Sequence, residues 1–350
     1  MSPRFAYSDL VALSEAVLVK AGLPAEPAGS VAAGLVEADL LGHTTHGLAL
    51  LADYVEELDN RTMEREGRPD VVADHAAVAT WDARRLPGVW TTRLAVEEAT
   101  RRATLYGLGA IAVRRSHHIA CLAAFLEAPA RAGTLVLVYS SDPSDAHVAP
   151  FGGLTPVMTP NPIAAGIPAE PDPILIDVST SITTAAMCGR VRAAGGRLAG
   201  AWIKDSHGIP TDDPTAFKAG GSILPIGGLD HGHKGYGLSL MVEAMTQGLG
   251  GYGRADAPGE WGAGVLVLAL SPAAFGGLDG FMRQTGWLAE ACRASRVPEG
   301  APRVRLPGEA ALGRKRQALT HGVVLHDGIA EDLSRLAARF ALPAPVPLAD

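Results

Sequence analysis

This sequence predicts an α/β fold, a sheet covered by helices with further helices from both ends of the chain. Three observations carry that reading. From about residue 75, short apolar runs of strand length alternate with helical repeats. The segments near both termini show helical periodicity. The 350 residues are 47% hydrophobic, enough for a sizeable core.

The first helix spans residues 8–22, with Ser8 as N-cap, Leu10, Leu13 and Val17 on one face, and Gly22 at its end. A second runs from Glu26 to Leu41. A third follows Thr44-Thr45 and puts Leu48, Leu51, Val55 and Leu58 on a buried stripe. Its other face carries His46, Leu50 and Tyr54, spaced by four and therefore stacked one turn apart. Then come a strand at 77–81, a helix at 91–106, a strand at 109–113, a helix at 121–132 and a strand at 135–139. Residues 174–176 and 265–270 read as further short strands. Residues 234–249 read as a helix with Leu238, Met241 and Met245 inward, and 278–293 and 330–340 as the last helices. The Pro- and Gly-rich stretches at 143–173 and 297–308 are loops, the second returning the chain to the N-terminal helices. The predicted division is a helical unit of residues 1–72 with 272–350 and an α/β unit of 73–271.

The net charge of −7 contains no long run of one sign, which argues against nucleic acid or an anionic membrane as partner. Cys121, Cys188 and Cys292 are odd in number and lack metal-type spacing, so no disulfide framework is expected. Residues 1–20 lack a signal-peptide core and no apolar run reaches spanning length. The expected protein is soluble and cytoplasmic.

His231-Gly232-His233-Lys234-Gly235-Tyr236-Gly237 puts a lysine among glycines at a predicted helix start. Free N–H groups, the helix dipole and an ammonium there suit an anion such as a cofactor phosphate. The plain alternative is a glycine-rich turn with Lys234 in solvent. Gly248-Leu249-Gly250-Gly251-Tyr252-Gly253 matches G-x-G-x-x-G by letter. It follows a helix instead of a strand, so a Rossmann assignment is rejected.

Histidine is the natural proton carrier near neutral pH, and three pairs cluster here: His43 with His46, His117 with His118, and His231 with His233. His117-His118 follows a strand, where open α/β sheets bind ligands, and adjacent side chains diverge, so one of the two faces the site. The histidine spacings support no metal site, since His43-Thr44-Thr45-His46 lacks the glutamate of a metalloprotease helix. No G-x-S-x-G elbow suggests a serine hydrolase.

Several segments, in order, resemble the type-2 malate/L-lactate dehydrogenases, a family that includes ureidoglycolate and sulfolactate dehydrogenases and Δ1-piperideine-2-carboxylate reductases. They are the stretch from Ala38-Asp39 to Thr45-His46-Gly47, Val113-Arg114-Arg115-Ser116-His117-His118, Pro150-Phe151-Gly152-Gly153, Asn161-Pro162, Asp177-Val178-Ser179-Thr180-Ser181, the run from Trp202 to Pro214, Lys234-Gly235-Tyr236-Gly237-Leu238, and Pro307-Gly308-Glu309 with Arg314-Lys315-Arg316. The resemblance implies a non-Rossmann fold with a mixed sheet, a homodimer, and hydride exchange between NAD(H) or NADP(H) and a small 2-oxo acid or cyclic imine. By position it implies cofactor contacts from His46, Ser141, Asp177, Val178, Ser179, Lys234, Arg314, Lys315 and Arg316. Hydride delivery leaves charge on the heteroatom, and a nearby acid must quench it. The resemblance offers His118 for a hydroxy acid, or His46 polarised by the Thr45 hydroxyl for an imine.

The sequence departs from the family at Leu50, where relatives carry an arginine that clamps the substrate carboxylate. Such a contact is worth about 1.5–3 kcal/mol. Either Arg114 or Arg115 supplies the cation, or the substrate lacks a carboxylate there. Leu50, Tyr54 and Arg115 are therefore the predicted substrate-binding residues. Thr159-Pro160-Asn161-Pro162 replaces a family Gly-Thr-Asn-Pro, which changes the local loop. Arg190 stands near a position where relatives carry lysine or aspartate. The leading expectation is a dehydrogenase acting on something other than simple malate or lactate. The alternatives are a cyclic imine reductase and a redox-inactive ligand-binding relative.

Overall fold

The computed structural model describes residues 3–348. Its centre is a seven-stranded sheet of β1 (Asp70–His75), β2 (Val78–Asp82), β3 (Leu108–Ser116), β4 (Leu135–Ser141), β5 (Ile163–Ile167), β6 (Ile174–Val178) and β7 (Ala263–Leu270). The spatial order is β1-β2-β3-β7-β4-β5-β6. Only β2 and β3 pair in parallel; every other neighbouring pair is antiparallel, so the sheet is mixed.

Period-two alternation sorts the strands onto two faces. Ile111, Val113, Val136, Val138, Val265 and Val267 join the main core with helices α1 (Tyr7–Lys20), α2 (Ala25–Leu41), α3 (Leu51–Asp59) and α4 (Gly88–Tyr106). On the opposite face Ala112, Tyr139 and Leu266 pack with Val242 of a later helix. The longer helices that follow α4 are α5 (Ala185–Ala193), α6 (Gly228–Glu243), α7 (Leu278–Arg293), α8 (Glu309–His321) and α9 (Ile329–Arg339). Leu312 of α8 and Leu333, Leu336 and Ala337 of α9 join the same core as α1–α3. Thus the end of the chain packs beside its beginning. No helix is long and apolar enough to cross a membrane among the described residues.

Several local expectations need correction. Helix α1 starts at Tyr7 with Ala6 at its cap, and Ser8 donates to its neighbour Asp9 instead of capping. Residues 121–132 form a 3-10 turn, Leu122–Phe125, and a one-turn helix, Glu127–Arg131. The backbone N–H of Ala123 is diverted to the Asp177 carboxylate at 2.8 Å, which fixes the segment to β6. The helix expected at 234 begins at Gly228, bends at His231 and runs into a π turn at Ala244–Gly248. Its buried face is Gly232, Gly235, Ser239 and Val242, leaving Leu238 and Met241 exposed. A Cβ on Gly235 would lie 2.4 Å from the backbone N of Ile226. Close packing on the chain before it therefore explains the glycine and rotates the helix away from the expected face. Strands β1 and β5 and helices α5 and α8 were not anticipated.

Candidate active site

Strands β3 and β4 both run antiparallel to β7, and β6 runs in the direction of β4. The C-terminal ends of β3, β4 and β6 therefore share one edge of the sheet, with the start of β7. A cavity of about 590 Å³ opens there. Its lining comes from the turn after α2 (His43, Thr45, His46, Leu50), the end of β3 (His118), the end of β4 (Ser141), the end of β6 (Asp177, Ser179), the start of α5 and Trp261.

His118 faces the cavity, while His117 turns away. The Nε2 of His117 lies 3.1 Å from the Glu57 carboxylate, and its ring is fully buried. Tyr54 is buried and sets its Oη 2.9 Å from His118 Nδ1 and 3.2 Å from the His118 carbonyl oxygen. That pair of contacts supports two protonation states. The hydroxyl donates to a bare Nδ1, or accepts from a protonated Nδ1 while donating to the carbonyl. Burial holds the His118 pKa well below the ordinary imidazole range, with the charges of His46 and His117 adding to the shift. The resting ring is therefore neutral, the form of a base.

The His46 ring stacks on that of His118, with centroids 5.9 Å apart and planes 30° from parallel. Thr45 Oγ1 lies 2.8 Å from His46 Nδ1, the contact the sequence anticipated. Burial lowers the His46 pKa; Asp177 opposes this, and His43 and Arg190 add to it. The turn carrying His46 is fastened from below, where the Leu48 N–H donates to Asp39 Oδ2 at 2.7 Å. Gly47 permits this, because a Cβ there would lie 2.4 Å from that carboxylate. Burial pushes the Asp39 pKa up to about 7, although the Leu48 N–H and Arg190 oppose it. From α5, Arg190 reaches the same turn and donates to Thr44 Oγ1 at 2.9 Å and Thr44 O at 3.1 Å.

The opposite wall is polar. Ser141 Oγ is 2.6 Å from Thr246 Oγ1 and accepts from Gln247 Nε2 at 3.0 Å. Ser179 Oγ donates to the Ser181 carbonyl. Thr184 caps α5 by accepting from Met187 N, and the neighbouring Thr183 Oγ1 is buried with no hydrogen-bond partner. Both threonines line the cavity.

The structure brings together His118, His46, Thr45, Leu50, Ser141, Asp177 and Ser179, with Tyr54 one bond behind His118. It sends the other predicted residues elsewhere. Arg115 is paired with Asp82 at 2.6 Å and Arg114 with the same carboxylate at 3.0 Å, so neither stands in for the missing arginine. Val178 is half-exposed and outside the cavity lining. Lys234 does stand in the first turn after the break at His231, but on the exposed side of α6 and outside the cavity lining. The basic trio diverges along α8. Arg314 donates to the Leu41 carbonyl at the end of α2, Lys315 bridges Glu37 and Glu127, and Arg316 pairs with Asp172. Each is spent on a contact within the chain instead of lining the cavity.

Trp261, Asp39 and Arg190 complete the site without having been singled out for it. A tryptophan ahead of an apolar strand carries no sequence signal for stacking on a histidine far back in the chain. Asn161 was quoted only within its loop motif. It is buried at φ +44, a left-handed conformation that asparagine tolerates, accepts from Thr159 Oγ1 and donates to Glu243 Oε1; Thr159, at the position of the lost glycine, is not in that conformation.

The profile of a family described as malate/L-lactate dehydrogenase matches residues 5–334. The chain is 32% identical over 330 residues to (2R)-3-sulfolactate dehydrogenase (NADP(+)) of Chromohalobacter salexigens, covering 90% of this chain and 93% of that one. Among solved structures, malate dehydrogenase from Entamoeba histolytica superposes with a TM-score of 0.93 at 22% identity, covering 99% and 100% of the two chains. The Δ1-piperideine-2-carboxylate reductase of Pseudomonas syringae superposes with a TM-score of 0.84 at 28% identity, covering 95% and 99%.

Proposed function

The chain belongs to the malate/L-lactate dehydrogenase family and is an oxidoreductase of it; on that premise we propose that it interconverts a secondary alcohol and its ketone or 2-oxo acid with NAD(H) or NADP(H). When bound, the nicotinamide supplies or takes the hydride. The cavity suits such a cofactor. Its volume lies within the range of small-molecule sites. The orphaned Thr183 hydroxyl beside the capped start of α5 offers a place for a phosphate oxygen. The Asp177 carboxylate, held by Ala123 N–H, suits ribose hydroxyls. Ser141 and Ser179 complete that wall. Lys234, Arg314, Lys315 and Arg316 do not line this cavity.

His118 performs the proton transfer. Neutral in the resting protein with its proton on Nδ1, which donates to Tyr54 Oη while that hydroxyl donates to the His118 carbonyl, the ring takes the hydroxyl proton of the alcohol on Nε2. Tyr54 goes on accepting from Nδ1 and keeps the imidazolium in place, and the reverse reaction returns the Nε2 proton to the ketone oxygen. The observation that carries the proposal is this His118 ring, anchored by Tyr54 at the convergence of three strand ends and facing the cavity. Leu50 in the same lining puts an apolar side chain beside the reacting group. The substrate is therefore bulkier or less acidic there than malate or lactate.

A second reading, reduction of a cyclic imine with His46 as the acid, is favoured by the Thr45–His46 contact at 2.8 Å. Following reduced-nicotinamide absorbance with ketones, 2-oxo acids and cyclic imines separates the two. Turnover confined to imines would replace the first reading with the second, and failure to bind either nucleotide would overturn both.

We also assign residues 1–72 with 272–350 to a subunit-contact unit and 73–271 to a cofactor unit, in a homodimer. Exposed Leu238, Leu240 and Met241 on α6 support a further apolar contact.

A further inference from the structure

One cluster in the cavity wall is used as a set neither by the fold nor by the proton transfer. His43 comes from the turn after α2, Cys121 from the segment after β3, and Asp177 from the end of β6. A ring nitrogen, the sulfur and a carboxylate oxygen all lie within 4.8 Å of one another. Cys121 Sγ is 3.6 Å from Asp177 Oδ2, and Ala123 N–H orients that oxygen from behind. All three residues line the cavity.

We propose that His43, Cys121 and Asp177 form a site for a thiophilic divalent cation such as Zn²⁺, leaving its fourth position to water from the cavity. Nitrogen, sulfur and oxygen donors are the set this ion prefers, and three protein ligands with one open position is its usual arrangement at reactive sites. Bond lengths of about 2.0–2.3 Å require the three side chains to close in by no more than about 1 Å, within reach of small χ rotations. The charges also balance. A neutral imidazole, a thiolate and a carboxylate offset a dication, which suits a half-buried wall. Binding releases the thiol proton to solvent, so affinity rises with pH. Cys188 and Cys292 belong to no such group among the described residues. One consequence rests on the proposed function: because Asp177 is also assigned to the cofactor, cation and dinucleotide exclude each other, and Zn²⁺ inhibits the enzyme.

The test is titration of the full chain, free of any purification tag and of nucleotide, with Cd²⁺ as the probe. The expected result is a thiolate-to-cadmium charge-transfer absorbance that saturates at equimolar metal, is lost in C121S and persists in C292S. H43Q, altered on the half-buried turn after α2, guards against a C121S chain that fails to fold; it should weaken Cd²⁺ by about tenfold or more, the scale on which even outer partners matter at metal sites. Absence of the band, or its survival in C121S, overturns the site. Added NADH or NADPH should weaken Cd²⁺ binding. Metal binding indifferent to a nucleotide shown to bind would overturn the exclusion and the placement of the cofactor at Asp177, while the donor set would stand.

Discussion

The indole of Trp261 stacks on the imidazole of His118, with ring centroids 4.4 Å apart and planes 25° from parallel. The same indole meets the ring of His117 edge-on at 5.3 Å, and the backbone carbonyl of Trp261 accepts from Arg85. One side chain thus shields the proton carrier from water. Since burial is the main cause of the low His118 pKa, Trp261→Ala should let the ring rehydrate and move its pKa up toward 6.5, while Trp261→Phe should leave it low. The acid limb of the pH profile of kcat/KM for alcohol oxidation reads that shift.

In the wild type, that limb has a defined sign. Oxidation needs neutral His118, and protonation sets in only well below the ordinary value of 6.5. Alcohol oxidation should therefore hold level as pH falls through 6.5 and fail only in more acid solution. Loss of activity centred at 6.5 would assign the base to another group.

His118→Gln should lower kcat by about 10²–10⁴, the usual contribution of a positioned acid or base, with little change in nucleotide affinity. Tyr54→Phe should cost less and should affect kcat more than KM, because the ring loses its Nδ1 partner and not its place in the wall. Steady-state kinetics with a nucleotide-binding titration checks both.

Leu50→Arg should restore a carboxylate clamp facing the cavity. Activity on pyruvate or oxaloacetate should rise about 10- to 100-fold in kcat/KM, matching about 1.5–3 kcal/mol for a charge-assisted contact. Activity on bulkier apolar substrates should fall. Comparison of the two kcat/KM values tests this directly.

Asp39, raised from 3.8 to about 7 by burial, makes stability depend on pH. Between those values the folded chain keeps a proton that the unfolded chain has released, so stability falls as pH rises from about 4 to about 7. Asp39→Asn removes the buried charge and keeps an acceptor for Leu48 N–H. It should stabilise the protein by about 2–3 kcal/mol more at pH 8 than at pH 5. Denaturant melts at the two values read the difference.

The sequence made much of this site visible, for reasons that differ by residue. His46, Leu50 and Tyr54 are close in the chain and do meet at the site, but not by the helical stacking expected of them: His46 lies in the turn after α2, Leu50 in a 3-10 turn at Leu48–Leu50, and only Tyr54 in α3. His118 was legible because a strand end is a defined place in an α/β sheet. Trp261, Arg190 and the His43–Cys121–Asp177 group meet across 143, 146 and 134 residues of chain respectively, counted from His118, Thr44 and His43, and local periodicity carries no trace of such encounters. Lys234 stands just after a helix break, as its glycines suggested, but outside the cavity lining, and Gly235 answers to the backbone of Ile226. The one-position error in the buried face of α6 has the same source, since glycines give hydrophobic periodicity nothing to count.

Arg190 reaches Thr44 from a helix whose first residues line the cavity. A single guanidinium thus straps α5, whose start lines the crevice, to the turn that bears His46. A ligand settling at the start of α5 would load that strap, two residues from the His46 imidazole.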